Sequence, residues 1–214
     1  FLVEPIQGEA GVMVPDEGYL TGVRDLCTAH NVLFIADEIQ TGLARTGKML
    51  ACDHEQVRPD ILILGKALSG GVLPVSAVLA DDAIMMNIKP GEHGSTYGGN
   101  PLACAVAMAA LTVLKEEKMA ENADAMGQLL RNELAKLSSP FITTIRGKGL
   151  LNAIVIKHQN PDASWDLCLA LKENGLLAKP THSDKIRFAP PLLINREQVL
   201  DCVTIIDRSL QMLT

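Results

Sequence analysis

With 214 residues, 48% of them hydrophobic and 21% charged, the chain has the make-up of a globular protein of one large or two smaller domains. A formal net charge of -6 with no basic block argues against nucleic acid or an anionic membrane surface as a partner, and no apolar run is long enough for a transmembrane helix. The five cysteines (Cys27, Cys52, Cys104, Cys168, Cys202) are scattered and form no C-x-x-C pair, which argues against a metal site or a disulfide framework and favours a reducing compartment.

The chain opens on Phe1-Leu2-Val3, which reads as the end of a strand already under way. The expectation is therefore a later part of a longer chain; a processed terminus is the alternative. Residues 4–18 read as a loop. Tyr19 to His30 has helical spacing, with Leu20, Val23, Leu26 and Cys27 on one face. Val32 to Ala36 is a continuous apolar run that leads into Asp37-Glu38, and Ile61 to Leu64 is another that leads into Gly65-Lys66. Such runs predict strands covered on both faces. A Gly-containing loop, Thr41 to Gly47, lies between them, and Val75 to Leu79 predicts a further strand. Alternating strands and helices predict an α/β fold with a parallel or mixed sheet.

Gly91 to Asn100 is a loop dense in Gly, Ser and Thr. Asn100 then caps a helix that starts at Pro101, with Leu102, Val106, Ala109, Ala110 and Val113 expected on its buried face. The charged cluster Lys115 to Lys118 marks a domain boundary, giving residues 1–117 and 118–214. Met119, Ala123, Met126, Leu130, Leu134 and Leu137 stripe a second helix. The remainder reads as α+β. Leu150 to Ile156 is a strand, Ala163 to Glu173 a helix closed by Gly175, and two short strands flank Thr181 to Asp184. A last helix begins with the capping-box pair Asn195 and Gln198.

Ligands bind where parallel strands stop, at their carboxyl ends. Lys66 there could condense with an aldehyde if its amine is partly desolvated, or it could simply face solvent. The P-loop pattern fails, because Asp60 and Ala67 stand where it needs a Gly and a Ser or Thr. Asp37 is either a capping acid or a carboxylate held against a protonated heterocycle. Pyridoxal phosphate needs both such groups, so the pair Asp37 and Lys66 fits better than either alone. Gly94-Ser95-Thr96-Tyr97-Gly98-Gly99 suits a phosphate, or is an ordinary turn. Arg187, in the apolar stretch Ile186 to Pro191, should face a carboxylate from protein or ligand. Glu9 alone reads as an exposed loop acid.

Leu33-Phe34-Ile35-Ala36-Asp37-Glu38-Ile39-Gln40-Thr41-Gly42, with Gly65-Lys66-Ala67-Leu68-Ser69-Gly70-Gly71, resembles the signature of class III, subgroup II aminotransferases. Glu4 to Gly11, Gly91 to Pro101, Arg146 to Asn152 and Leu177 to His182 are similar to the ornithine branch of that family, over its carboxyl-terminal half. The resemblance implies fold-type I: part of a large mixed-sheet domain followed by a small α+β domain. It implies pyridoxal phosphate on Lys66, Asp37 at the pyridine nitrogen and Gln40 at the phenolic oxygen. Ser95, Thr96 and Glu4 would join the cofactor contacts, Thr96 by reaching the phosphate of a neighbouring subunit, hence a homodimer. Glu9 and Arg187 would act as a switch between ornithine and 2-oxoglutarate as small-molecule substrates. The mitochondrial matrix is the implied compartment, with the cytoplasm as the alternative. Rival expectations are action on acetylornithine or 4-aminobutyrate, or a non-catalytic homologue. The family's upstream half carries further cofactor contacts, so this stretch alone is expected to lack activity.

Overall fold

The computed structural model describes residues 1–213, and the chain packs into two units. The first comprises Phe1–Pro5, Pro15–Leu43 and Lys48–Lys118. The second comprises Ile6–Val14, Ala44–Gly47 and the chain from Met119 onward.

In the first unit, β1 (Leu2–Val3) is followed by α1 (Tyr19–Ala29). Leu20 and Cys27 of α1 are buried, but Leu26 is 63% exposed. At about 100° per residue Leu26 falls roughly 120° round the helix from Leu20, off the buried stripe. The strand β2 (Ile35–Asp37) starts later than the apolar run does, and Val32 and Leu33 are exposed. The backbone before β2 is bound elsewhere: the Val32 N–H donates to the Cys27 carbonyl, closing α1. The Phe34 N–H donates to Asp60 Oδ2 at 2.7 Å. Arg24 Nη1 donates to the same oxygen at 2.8 Å, and its guanidinium lies 5.8 Å from the Phe34 ring centroid.

Strand β3 (Ile61–Leu64) pairs parallel to β2, as β2 does to β1, and β4 (Ala77–Ala80) closes the sheet antiparallel to β3. The sheet is therefore mixed, in the order β1-β2-β3-β4. Ile35 and Ile61 to Ile63 are only half-buried, short of the two-sided cover their composition predicts. The short α2 (Asp82–Met85) leads on to α3 (Pro101–Glu116), whose Asn100 cap accepts from the Ala103 N–H at 2.9 Å. The buried side of α3 is Ala103, Ala107 and Leu114, while Leu102 and Val113 are exposed. The helix is apolar nearly all round, so periodicity allowed two stripes. The side with Ala103 and Ala107 faces inward, and Ala110 of the expected stripe lies close to Gly70, because small side chains let the helix approach the 3-10 turn Lys66–Ser69.

The second unit holds α4 (Met119–Leu134), β5 (Ile142–Lys148), β6 (Leu151–Ile156), α5 (Ala163–Glu173), β7 (Lys179–Thr181), β8 (Lys185–Phe188) and α6 (Arg196–Leu210). Its four strands form an antiparallel sheet in the order β5-β6-β8-β7. One face of that sheet (Ile154, Ile156, Ile186, Phe188) packs against Leu130 and Leu134 of α4, Leu167 and Leu171 of α5, and Val199 and Ile206 of α6. Gly127 lets α4 come down on the β5–β6 turn, since a Cβ there would overlap the Gly149 carbonyl. Strand β5 had no clear sequence signal: Thr143-Thr144 breaks the alternation, and a register shift lies at Ile142/Thr144.

Burial alone would raise the pKa of Asp60, but the Phe34 N–H and Arg24 outweigh it and hold the carboxyl below its usual range. A carboxylate with a depressed folded pKa stabilises above its unfolded value of about 3.9, and that contribution is lost as pH falls through the folded value. Asp60→Asn should therefore lower stability at pH 7, and the deficit should shrink towards about pH 3. Urea unfolding across that range is the measurement; a deficit independent of pH would contradict the assignment.

Candidate active site

A parallel sheet brings the ends of its strands to one edge, and β1, β2 and β3 end there on Val3, Asp37 and Leu64. Glu4 follows β1 directly, Asp37 closes β2, and Lys66 comes two residues after β3. The structure therefore delivers three of the sequence-predicted residues to one sheet edge. The loops after β2 and β3 also touch: a Cβ on Gly65 would lie 3.4 Å from Ile39 Cγ2, and one on Gly42 the same distance from Leu64 Cδ2. Asp37 is half-buried, and its Oδ1 accepts from the Ile39 N–H at 3.0 Å, which fixes the carboxylate's direction. Gln40 lies half-buried one residue further on.

Lys66 has φ of 45°, the left-handed region that a non-glycine residue enters only at a cost. The turn that holds it is pinned on both sides. Leu68 and Ser69 are buried, and Ser69 Oγ donates to the Leu73 carbonyl and accepts from the Leu73 N–H at 3.2 Å. Lys66 itself is exposed, so the turn fixes where its backbone stands at the carboxyl edge, while the partial desolvation expected of a reactive amine is not supplied by the described residues. The 94–99 loop is exposed throughout; Ser95 Oγ accepts from the Gly98 N–H at 2.8 Å, and Thr96 stands on the same turn.

One brace was not foreseen. Glu38, next to Asp37, is 1% exposed. Its Oε2 accepts from the Thr41 hydroxyl, and its Oε1 accepts from the Cys52 N–H at 2.8 Å. Burial and the Glu38 charge push the Cys52 thiol far above its ordinary range, so Cys52 is inert packing. The Asp-Glu pair thus divides its work, one acid towards the edge and the other holding the loop that carries Gln40.

In the second unit the direct cross-strand partners run Arg146, Ala153, Arg187, Lys179 across the sheet. Partners in register share a face, so three cations stand in one row opposite the helical core. Residues 6–14 lie over this row. Ile6 and Val12 pack on Leu151 and Ala153, and Arg146 donates twice to the Gly11 carbonyl, at 3.0 and 2.7 Å. Gln7 and Met13 bridge the base of the strap, which presents Glu9. Arg187 Nη1 donates to Glu9 Oε1 at 2.8 Å, and Lys179 Nζ donates to Glu9 Oε2 at 3.0 Å. Arg187 thus faces a carboxylate from the protein, and Glu9 has two cationic partners. Sequence reasoning missed Lys179. The strand pairing that sets it opposite Arg187 is the signal that would have found it.

Residues 1–210 match the family described as aminotransferase class-III. The chain belongs to that family. It is 70% identical over 210 residues to the mitochondrial ornithine aminotransferase of Drosophila melanogaster, covering 98% of this chain and 48% of that protein. A crystal structure described as acetylornithine aminotransferase from Elizabethkingia anophelis is 66% identical, with a TM-score of 0.95, over 99% of this chain and 56% of that one. The ornithine aminotransferase of Toxoplasma gondii, described with partial occupancy of pyridoxal phosphate at its active site, is 53% identical, with a TM-score of 0.96, over 100% of this chain and 50% of that one. The chain spans about half the length of the curated relatives it matches. Its fold is the fold-type I architecture of class III aminotransferases, a pyridoxal-phosphate-using family. The edge set suits that cofactor, with a lysine amine and a directed carboxylate on adjoining strand ends.

Glu38→Ala would orphan the buried Cys52 N–H and loosen the loop that carries Gln40. The expected loss is about 2–4 kcal/mol of stability, read by urea unfolding of the full-length aminotransferase. A loss under about 0.5 kcal/mol would mean that the brace contributes little.

Proposed function

We propose that this chain is part of an ornithine aminotransferase that moves the δ-amino group of ornithine to 2-oxoglutarate, giving glutamate semialdehyde and glutamate. The observation that carries the reading is the shared strand edge, where Asp37 and Lys66 follow adjacent parallel strands. When bound, pyridoxal phosphate supplies a ring that accepts electrons from the substrate carbon bearing the amine. Lys66 would hold the cofactor through its Nζ, and its amine would carry the proton that moves during transfer. Asp37 would pair with the ring nitrogen and keep it protonated, while Gln40 would donate to the phenolic oxygen. Ser95, Thr96 and Glu4 complete the cofactor contacts. Thr96 would serve the phosphate site of a neighbouring subunit, which makes a homodimer the working assembly.

Glu9 and Arg187 set substrate choice. Paired, as in this structure, Arg187 is electrostatically quiet and ornithine presents its δ-amine. When 2-oxoglutarate is bound, Glu9 moves aside and Arg187 takes its α-carboxylate. The mitochondrial matrix is the proposed compartment, since relatives from rat, fly and Arabidopsis are named mitochondrial. A second reading, acetylornithine as the amino donor, draws on the 66% identity to the Elizabethkingia protein of that description.

Two experiments on the full-length protein test these readings. Lys66→Ala should abolish the visible absorbance of the bound cofactor together with turnover; survival of both would remove Lys66 from the chemistry. Wild-type enzyme should turn over ornithine faster than acetylornithine, and Glu9→Ala should weaken discrimination against α-amine transfer. The reverse substrate preference would favour the second reading, and an unchanged δ-to-α product ratio would rule out the switch.

A further inference from the structure

We propose that Lys179 is a positioning residue for Glu9, holding that carboxylate when it leaves Arg187. The inference rests on the Glu9–Arg187 switch proposed above and adds the group that receives the displaced acid. Lys179 and Arg187 are direct cross-strand partners on β7 and β8, so two like charges stand opposite each other on one face. That juxtaposition is unfavourable unless an anion joins them. Glu9 does so with one oxygen for each, 2.8 Å to Arg187 and 3.0 Å to Lys179. The two cations are not equivalent. The Arg187 side chain is 14% exposed, on an inner strand of the sheet, whereas Lys179 is 58% exposed on the edge strand β7. A planar guanidinium fixed beside Ala153 suits a substrate carboxylate, while a lysine on a flexible stem can follow a moving one. Glu9 can therefore surrender Oε1 from Arg187 and keep Oε2 on Lys179. Its charge stays compensated, and the strap 6–14 need not move with it.

The test uses the full-length, cofactor-loaded enzyme. Lys179→Met should raise KM for 2-oxoglutarate about two- to fivefold, the range that a half-exposed ion pair supports. It should leave kcat and the ornithine half-reaction near wild type, and Lys179→Arg should restore KM. In a Glu9→Gln background Lys179→Met should have no further effect on KM. A readout independent of turnover is the melting temperature. Lys179→Met should raise Tm in the Glu9→Gln background, where the two cations have lost the carboxylate they shared, and should lower it or leave it unchanged in the parent. An unchanged KM in the parent, an equal rise in both backgrounds, or the same sign of Tm shift in both would overturn the role of Lys179. If Glu9→Gln alone leaves the δ-to-α product ratio unchanged, the switch itself falls and this inference falls with it.

Discussion

Parallel pairing is the constraint on which the rest of the first unit depends. Strands that run the same way must all stop at the same edge, so whatever follows each of them converges there. Here that convergence gathers Glu4, Asp37 and Lys66 from positions widely separated in sequence. The antiparallel β4 starts at that edge, with Ala77 paired to Leu64 and Ser76 beside Gly65, and adds width to the sheet. The same geometry explains why Asp37 and Glu38, chemically alike, part company. Successive side chains at a strand end point to opposite sides. One acid reaches the edge, and the other is buried under the loop that follows, where it meets Thr41 and the Cys52 N–H.

The second unit solves a different electrostatic problem. Its sheet has an apolar face against three helices and a face where Arg146, Arg187 and Lys179 share one row. The strap 6–14 meets this row with three kinds of contact. A backbone carbonyl takes Arg146, small apolar contacts cover Ala153, and one carboxylate serves the other two cations. A carbonyl is a permanent partner, because it cannot leave without unmaking the strap. A side-chain carboxylate can leave by rotating its own bonds, so the contact able to exchange without moving the strap is the one to Arg187 and Lys179.

Much of this was legible in the sequence where one local rule decided. The Asn100 and Asn195 caps and the Gly175 stop lie where spacing and cap chemistry put them. Lys66 and Asp37 stood out because charge after a buried run is costly without purpose. Rules that offered two answers failed. The apolar surface of α3 fitted two stripes, and only the approach to the Lys66–Ser69 turn chose between them. The run from Val32 could not reveal that Asp60, distant in sequence, would capture the Phe34 N–H before the ladder began. Lys179 was invisible for the same reason, since its meaning lies in strand register. The packing of residues 6–14 and 44–47 with the later chain is likewise a matter of tertiary contact, which periodicity does not carry.

The strain at Lys66 ties packing to chemistry. Left-handed backbone at a non-glycine residue costs on the order of 1–3 kcal/mol, and Gly65, one position earlier, is extended although it could have taken that conformation freely. The strain therefore falls on Lys66 rather than on the residue that would bear it at least cost. It persists because the turn has no slack. Leu68 and Ser69 are buried, Ser69 is bonded twice to Leu73, and Ala110 of α3 lies 3.5 Å from where a Cβ on Gly70 would stand. The alanine face of α3 is what permits that closeness, so the composition of a helix remote in sequence fixes the direction in which Lys66 leaves the sheet.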